Sequence, residues 1–87
     1  IRLMYSHKNE DTCATQAIYL GKRFRQALEV MGITDVSVLG PSPAFPSKVR
    51  GKYRWHIILK GIEPRRLIDE TTLPLGWMVE VDPTSVT

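Results

Sequence analysis

Hydrophobic and polar residues alternate in several short segments of the chain, and this two-residue period predicts β-strands. In IRLMYSH, Ile1, Leu3 and Tyr5 fall on one face, opposite Arg2 and Met4. The β-branched run DVSVLG predicts a second strand, and residues from about Lys52 to Lys60 predict a third. A fourth is expected in WMVEVDP, with Trp77, Val79 and Val81 on one face.

Between the first two strands the period changes to three or four residues, which is typical of an amphipathic helix. NEDT offers capping and acidic residues for the helix start, and Gly32 suits its end. The predicted apolar stripe consists of Ala14, Ala17, Ile18, Gly21, Phe24, Leu28 and Met31. A short second helix is expected to start with Pro64 in its first turn and to carry Leu67 and Ile68.

The predicted order is strand, helix, strand, strand, helix, strand. It indicates an α+β fold, a split βαβ sandwich with a four-stranded, mainly antiparallel sheet and two helices on one face. The segment GPSPAFPS between the second and third strands is expected to be irregular, because its three prolines remove amide donors.

Length and composition fit one small globular domain spanning residues 1–87. The chain has 43% hydrophobic and 24% charged residues and a net charge of +3. Its single cysteine, Cys13, is expected to be buried rather than reactive. Since the chain begins with Ile1 and shows neither a signal peptide nor an apolar run of spanning length, we expect a piece of a larger, soluble, cytoplasmic protein with no membrane partner.

Sequence motifs of catalysis are absent. There is no glycine-rich phosphate loop, and His7, His56 and Cys13 lack the spacing of metal ligands. Glu80 and Asp82 would share a strand face, but without a nucleophile a solvated face explains them better. We therefore expect that this piece alone is not an enzyme and holds no cofactor or metal.

The most informative stretch is PSKVRGKYRWHIILK, residues 46–60. It contains four cations at every second position, which we call the basic row: Lys48, Arg50, Lys52 and Arg54. In an extended chain they would line one side. They would then form either a DNA-binding surface or the solvated side of an ordinary strand. Neighbouring aromatics and helix cations (Lys22, Arg23 and Arg25) favour binding to DNA, because phosphates attract cations and unpaired bases stack on rings.

The two aromatics of this stretch, Tyr53 and Trp55, share a face with Ile57 and Leu59. That face is expected to point into the core. We therefore expect Trp55 to be buried and Tyr53, at the start of the strand, to be partly accessible as a DNA contact beside the basic row.

Three spaced motifs extend across nearly the whole chain: a "LGPxPA" stretch (Leu39, Gly40, Pro41, Pro43 and Ala44), a "GxYRW" strand (Gly51, Tyr53, Arg54 and Trp55) and a terminal Asp82-Pro83. Together they resemble the C-terminal domain of the PriA family, the primosomal replication-restart DNA helicases of bacteria. The resemblance implies a fold like that of a small-subunit ribosomal protein. It also implies an ATP-dependent 3′→5′ helicase as the parent chain, with its ATP, Mg²⁺ and zinc sites upstream of this piece.

The resemblance further implies DNA contact at stalled forks during replication restart, with forked or single-stranded DNA as ligand. It implies docking of the acidic tail of the single-stranded DNA-binding protein, for which Arg65 and Arg66 are the candidate residues. Other implied partners are the helicase core of the same chain and further primosome proteins, in the bacterial cytoplasm at the nucleoid.

Two alternatives remain open from the sequence. In the first, the domain is a protein-docking module that packs on the helicase core without touching DNA. In the second, it is a free-standing ribosomal protein of similar fold, which the Gly-Pro and Tyr-Arg-Trp spacing disfavours.

Overall fold

Four strands and two helices alternate along the chain in the predicted order. The computed structural model describes residues 1–81. Its elements are β1 (Arg2–His7), α1 (Glu10–Met31), β2 (Val36–Val49), β3 (Lys52–Gly61), α2 (Arg65–Glu70) and β4 (Trp77–Glu80). The predicted element order is confirmed.

The strands form a single sheet in the order β2-β3-β1-β4, and every neighbouring pair is antiparallel. Strand β3 therefore lies between β1 and β2, the two strands that α1 connects, which is the split βαβ arrangement. The α+β fold class is confirmed. The face opposite the helices carries alternate residues of each strand, among them Arg2, Met4, Arg54 and His56.

Helix α1 begins and ends at the predicted capping residues. The Asn9 side chain accepts a hydrogen bond from the Thr12 amide at 3.0 Å, which satisfies one of the free amide donors of the first turn. Gly32 adopts φ 66°, and its amide donates to the carbonyl oxygens of Leu28 and Glu29. A residue with a side chain would be strained in this left-handed conformation.

The buried face of α1 differs from the predicted stripe. Its buried residues are Cys13, Ala17, Leu20, Gly21 and Phe24. Ile18 and Met31 are exposed, so their assignment to the stripe was wrong. Ile18 follows Ala17 by one residue and is therefore rotated about 100° away from the sheet.

The core lies between the sheet and the two helices. It consists of Leu3, Leu20, Phe24, Val36, Ile57, Leu59 and Leu67, contributed by β1, β2, β3 and both helices. Cys13 is fully buried beside it, with its Sγ 3.4 Å from the Tyr5 carbonyl oxygen. The predicted burial of Cys13 is confirmed, and this burial raises the pKa of its thiol.

The proline-rich segment was predicted to be irregular; it lies within β2, which runs to Val49, but its pairing with β3 is irregular. Strand β2 lies at the edge of the sheet, where a residue without an amide donor is tolerated on the side that has no partner. The prolines coincide with irregular pairing: the register shifts between Leu39 and Ser42 and again between Pro43 and Lys48.

Strand β4 pairs with β1 at the opposite edge of the sheet, and Trp77 packs against the core. Trp77 and Val79 share one face of β4, as predicted, although Val79 and Val81 are both exposed. This short edge strand therefore covers the core through its first residue only. The predicted motif residues Asp82 and Pro83 lie outside the described residues.

Candidate nucleic-acid interface

The hairpin formed by β2 and β3 extends past its neighbouring strand. Val49 pairs with Lys52, and the connection is the two-residue turn Arg50-Gly51, whose φ angles are 52° and 78°. Two consecutive positive φ angles are typical of the turn that matches the twist of a β-hairpin. Strand β1 ends at His7, opposite Tyr53, so Lys52 and the turn lie beyond the last β1 pair.

This turn separates the basic row, which was expected to line one side of a strand. Lys48 pairs with Tyr53 and shares its face of the hairpin, whereas Lys52 pairs with Val49 on the other face. Arg50 lies in the turn between them. The expectation of one lined side was wrong, since the chain reverses direction within the row. The cations instead surround the end of the hairpin.

Exposure is continuous over this end of the hairpin. All eight residues from 45 to 52 are exposed, and we call them the hairpin tip. Phe45, at the start of the tip, has 95% of its surface exposed. Phe45 was not among the residues predicted from the sequence to contact DNA. The available signal was an aromatic residue among prolines, only three positions before the first cation of the basic row.

Carboxylates are absent from the whole hairpin. Residues 36–61 contain five Lys or Arg and no Asp or Glu. An anion that approaches the tip therefore meets no acidic side chain on either hairpin strand. Because like charges at short separation reinforce one another, the tip has a positive potential even though the net charge of the chain is only +3.

The structure gives Lys48 and Tyr53 a direct interaction. The Lys48 ammonium lies 5.0 Å from the centre of the Tyr53 ring, over its face. This contact orients the Lys48 ammonium within the tip and covers part of the Tyr53 ring. Tyr53 is half-buried, consistent with the expected partial access.

Arg54 is held by the protein rather than projecting freely. Its Nη1 donates to the Pro46 carbonyl oxygen at 3.2 Å, and its Nε and Nη2 lie 3.3 and 3.2 Å from the Met4 Sδ. The guanidinium therefore links β1 and β3 to the tip. This geometry suits positioning of the tip, with phosphate contact limited to the accessible part of the side chain.

Trp55 was expected in the core. It is half-buried and pairs with Tyr5 on one side and Pro43 on the other, outside the core cluster. Its face is the predicted one, but the side chain is half-buried rather than buried.

The helix cations contribute less than expected. The Arg25 Nη2 donates to the carbonyl oxygens of Val38 and Gly40, so this side chain anchors β2 to α1. The Arg23 guanidinium lies over the Tyr19 ring, 5.7 Å from its centre. Lys22 is exposed on the helix.

Arg65 and Arg66 lie at the other end of the sheet from the tip. The Arg66 Nη2 contacts the Asp35 carboxylate at 2.6 Å and donates to the Ile62 carbonyl oxygen at 2.9 Å. Arg65 is exposed and lines a shallow groove with Ile1, Pro64 and Asp69. The structure thus brings the two arginines together, but separates them from the basic row.

Other classes of site find little support among residues 1–81. These residues contain no group of three or more His, Cys, Asp or Glu side chains arranged to hold a metal ion. Within the same range, no helix is long and apolar enough to cross a membrane.

Comparison with known protein families decides the affiliation of the chain. The family described as primosomal protein N C-terminal domain matches residues 1–84. The chain belongs to this family. The resemblance seen in the LGPxPA and GxYRW motifs is thereby confirmed. Membership supports a role in primosome assembly and, in general terms, interaction with DNA or with primosome proteins. A search of curated proteins found no match to the chain.

Proposed function

We propose that this primosomal C-terminal domain binds DNA at stalled replication forks, and that the tip of the β2–β3 hairpin is its contact surface. The observation that carries the proposal is the projecting hairpin, which has exposed cations on both faces and no carboxylate. Lys48, Arg50 and Lys52 contact phosphates, Tyr53 supports Lys48, and Arg54 positions the tip. Phosphate contacts hold DNA in place with little sequence preference.

Fluorescence anisotropy with labelled single-stranded, duplex and forked DNA tests this proposal. With about three to five phosphates neutralised, the logarithm of the association constant falls against that of salt with a slope near −2 to −3.5 for a single strand. A variant with alanine at Lys48, Arg50 and Lys52 is expected to lose most of this slope. The Arg54→Ala variant is measured separately, because Arg54 also has contacts within the fold.

The matched control replaces Lys22, Lys60 and Arg65 by alanine. These side chains are exposed and lie outside the tip, and their removal changes the net charge by the same amount. Equal losses of DNA affinity in both triple variants would show that binding depends only on the overall charge. Retained binding in the tip variant would assign the basic row to the solvated side of a hairpin.

For the acidic tail of the single-stranded DNA-binding protein, we propose a contact at Arg65 and Arg66. Arg66 already binds one carboxylate, that of Asp35, so its guanidinium has the geometry for another acid, which would have to displace Asp35. Arg65 is the more accessible of the two. Unchanged tail affinity in a full-length helicase carrying Arg65→Ala and Arg66→Ala would exclude this contact.

A second candidate function is docking on the helicase core, and edge strand β4 favours it. Its outer side is unpaired within residues 1–81, and exposed apolar residues lie along it: Leu75, Met78, Val79 and Val81. Exposed apolar edges are common sites of association. Charge reversal in the basic row distinguishes the two functions. It abolishes DNA binding if the tip contacts DNA, whereas docking through the apolar edge of β4 at the opposite edge of the sheet is insensitive to these charges.

A further inference from the structure

Phe45 is an aromatic side chain that the fold leaves almost fully in water. It has 95% of its surface exposed, whereas its neighbour Ala44 is only 2% exposed. Burying a phenylalanine side chain stabilises a protein by about 1.5–3 kcal/mol, and this chain forgoes that gain at Phe45. An aromatic ring in this position is therefore available to a ligand.

The backbone on both sides of Phe45 is held in place. Ala44 is anchored by burial, and the Pro46 carbonyl oxygen accepts a hydrogen bond from Arg54 at 3.2 Å. Proline at position 46 also fixes its own φ angle. Presenting the ring to a ligand consequently costs little conformational entropy.

The surroundings of Phe45 indicate the chemistry of that ligand. Lys48 follows three residues later, which places the two Cα atoms at most about 11 Å apart, and Arg50 and Lys52 complete the exposed tip. No carboxylate occurs on either hairpin strand. A flat apolar ring beside several cations suits a ligand that combines a flat base with phosphates, whereas an apolar protein pocket would not require the cations.

We propose that Phe45 stacks on an unpaired nucleobase of a single strand whose phosphates are bound by Lys48, Arg50 and Lys52. This inference rests on the proposed function and adds a preference to it. Base pairs within a duplex do not offer a free face to a side chain at this position, so Phe45 selects the single-stranded part of a fork.

The test compares two labelled strands of equal length and charge, one of thymidines and one of abasic tetrahydrofuran residues. Stacking contributes about 1–3 kcal/mol per base, which corresponds to roughly a 5- to 150-fold change in affinity. We expect Phe45→Ala to weaken binding to the thymidine strand by about fivefold or more. Its affinity for the abasic strand stays within about twofold, because phosphate contacts are unchanged.

Three control variants make the result specific to stacking. Phe45→Leu keeps an apolar side chain without a flat ring and is expected to behave like Phe45→Ala. Phe45→Trp restores a stacking surface and is expected to restore affinity. Val30→Ala removes an apolar side chain that is 80% exposed at the far end of α1, and is expected to change nothing.

The possible failures are distinguishable. If the unaltered chain binds none of the DNA ligands, both the proposed function and the stacking of Phe45 are wrong. If the chain binds DNA and Phe45→Ala binds equally well, or loses equal affinity for both strands, stacking alone is wrong. An unchanged DNA affinity together with weakened association with the helicase core would make Phe45 a protein contact.

Discussion

At the scale of single residues, His56 has an unusual environment on the open face of the sheet. It pairs with Met4 of β1, and Arg2 and Arg54 occupy the same face. Burial, and then the charges of Arg2 and Arg54, lower the pKa of the His56 imidazole below its ordinary value of 6.5. Its Nδ1 is buried and has no hydrogen-bond partner among the described residues.

We expect protonation of His56 to destabilise the fold. Since its pKa is lower in the folded state, the unfolded chain binds more protons as pH falls through 6.5. The stabilising contribution is therefore present above pH 6.5 and is lost as pH falls to the folded-state pKa. The imidazole midpoint from nuclear magnetic resonance should lie below 6.5, and urea unfolding of His56→Gln should depend less on pH than that of the unaltered chain.

A midpoint at or above 6.5 would contradict this expectation. An Arg2→Met variant whose His56 midpoint is unchanged would show that the charge of Arg2 does not lower the pKa of His56.

The sequence shows that the basic row is cationic, but it does not show which groups these side chains contact. The side-chain contact of Arg54 with Met4 joins residues 50 positions apart, so no local pattern could indicate it. Arg66 and Asp35 are likewise separated by 31 positions. Periodicity reports which face a side chain occupies, whereas the partner on that face depends on strand register.

At the scale of elements, the base of the β2–β3 hairpin depends on Gly61. This residue ends β3 opposite Val36 and adopts φ 134°. A Cβ atom at Gly61 would lie 2.1 Å from the Asp35 carbonyl oxygen and 2.8 Å from the Val36 Cα. Both contacts are with backbone, which cannot move aside as a side chain can. The close approach of β2 and β3 therefore requires glycine here.

We expect Gly61→Ala to destabilise the domain by at least about 3 kcal/mol, because steric overlap adds to backbone strain. The matched control is Gly51→Ala in the hairpin turn, where φ is 78° but an added Cβ would have no atom of residues 1–81 within 4 Å beyond its chain neighbours. This control should cost about 1–2 kcal/mol from strain alone. Urea unfolding measures the loss of stability in both variants. Equal losses would mean that the backbone near Asp35 moves to make room for the added Cβ.

The extent of β2 shows why elements are harder to predict at their ends than at their centres. Proline penalises a strand only where its missing amide donor would have faced a partner. Whether a strand lies at an edge is a property of the assembled sheet. The Arg50-Gly51 turn was similarly inconspicuous, because such turns favour Asn-Gly or Asp-Gly and Arg-Gly is a weaker signal.

At the scale of the whole molecule, one cluster of buried residues joins the sheet to both helices. Phe24 is the largest fully buried side chain and belongs to α1, the longest element. A chain of 87 residues buries roughly 60–65% of the surface that it exposes when unfolded, so its margin of stability is modest. Loss of one large core residue should therefore be severe.

We expect Phe24→Ala to lower the free energy of unfolding by about 3–5 kcal/mol, through lost burial and a residual cavity. Val30→Ala, at an exposed position of the same helix, should stay within about 0.5 kcal/mol of the unaltered chain. Chemical denaturation followed by circular dichroism compares the two. A loss below about 1 kcal/mol at Phe24 would contradict the expected contribution of its burial to stability.

Both ends of the described chain meet at one end of the sheet. The amino group of Ile1 donates to the Leu59 carbonyl oxygen, and Arg2 forms an ion pair with Glu80. Tyr53, where the hairpin leaves its neighbour, is six residues along β3 from Leu59, or about 20 Å away. A support or fluorophore attached at this end of the sheet would therefore leave the hairpin tip pointing away from the point of attachment.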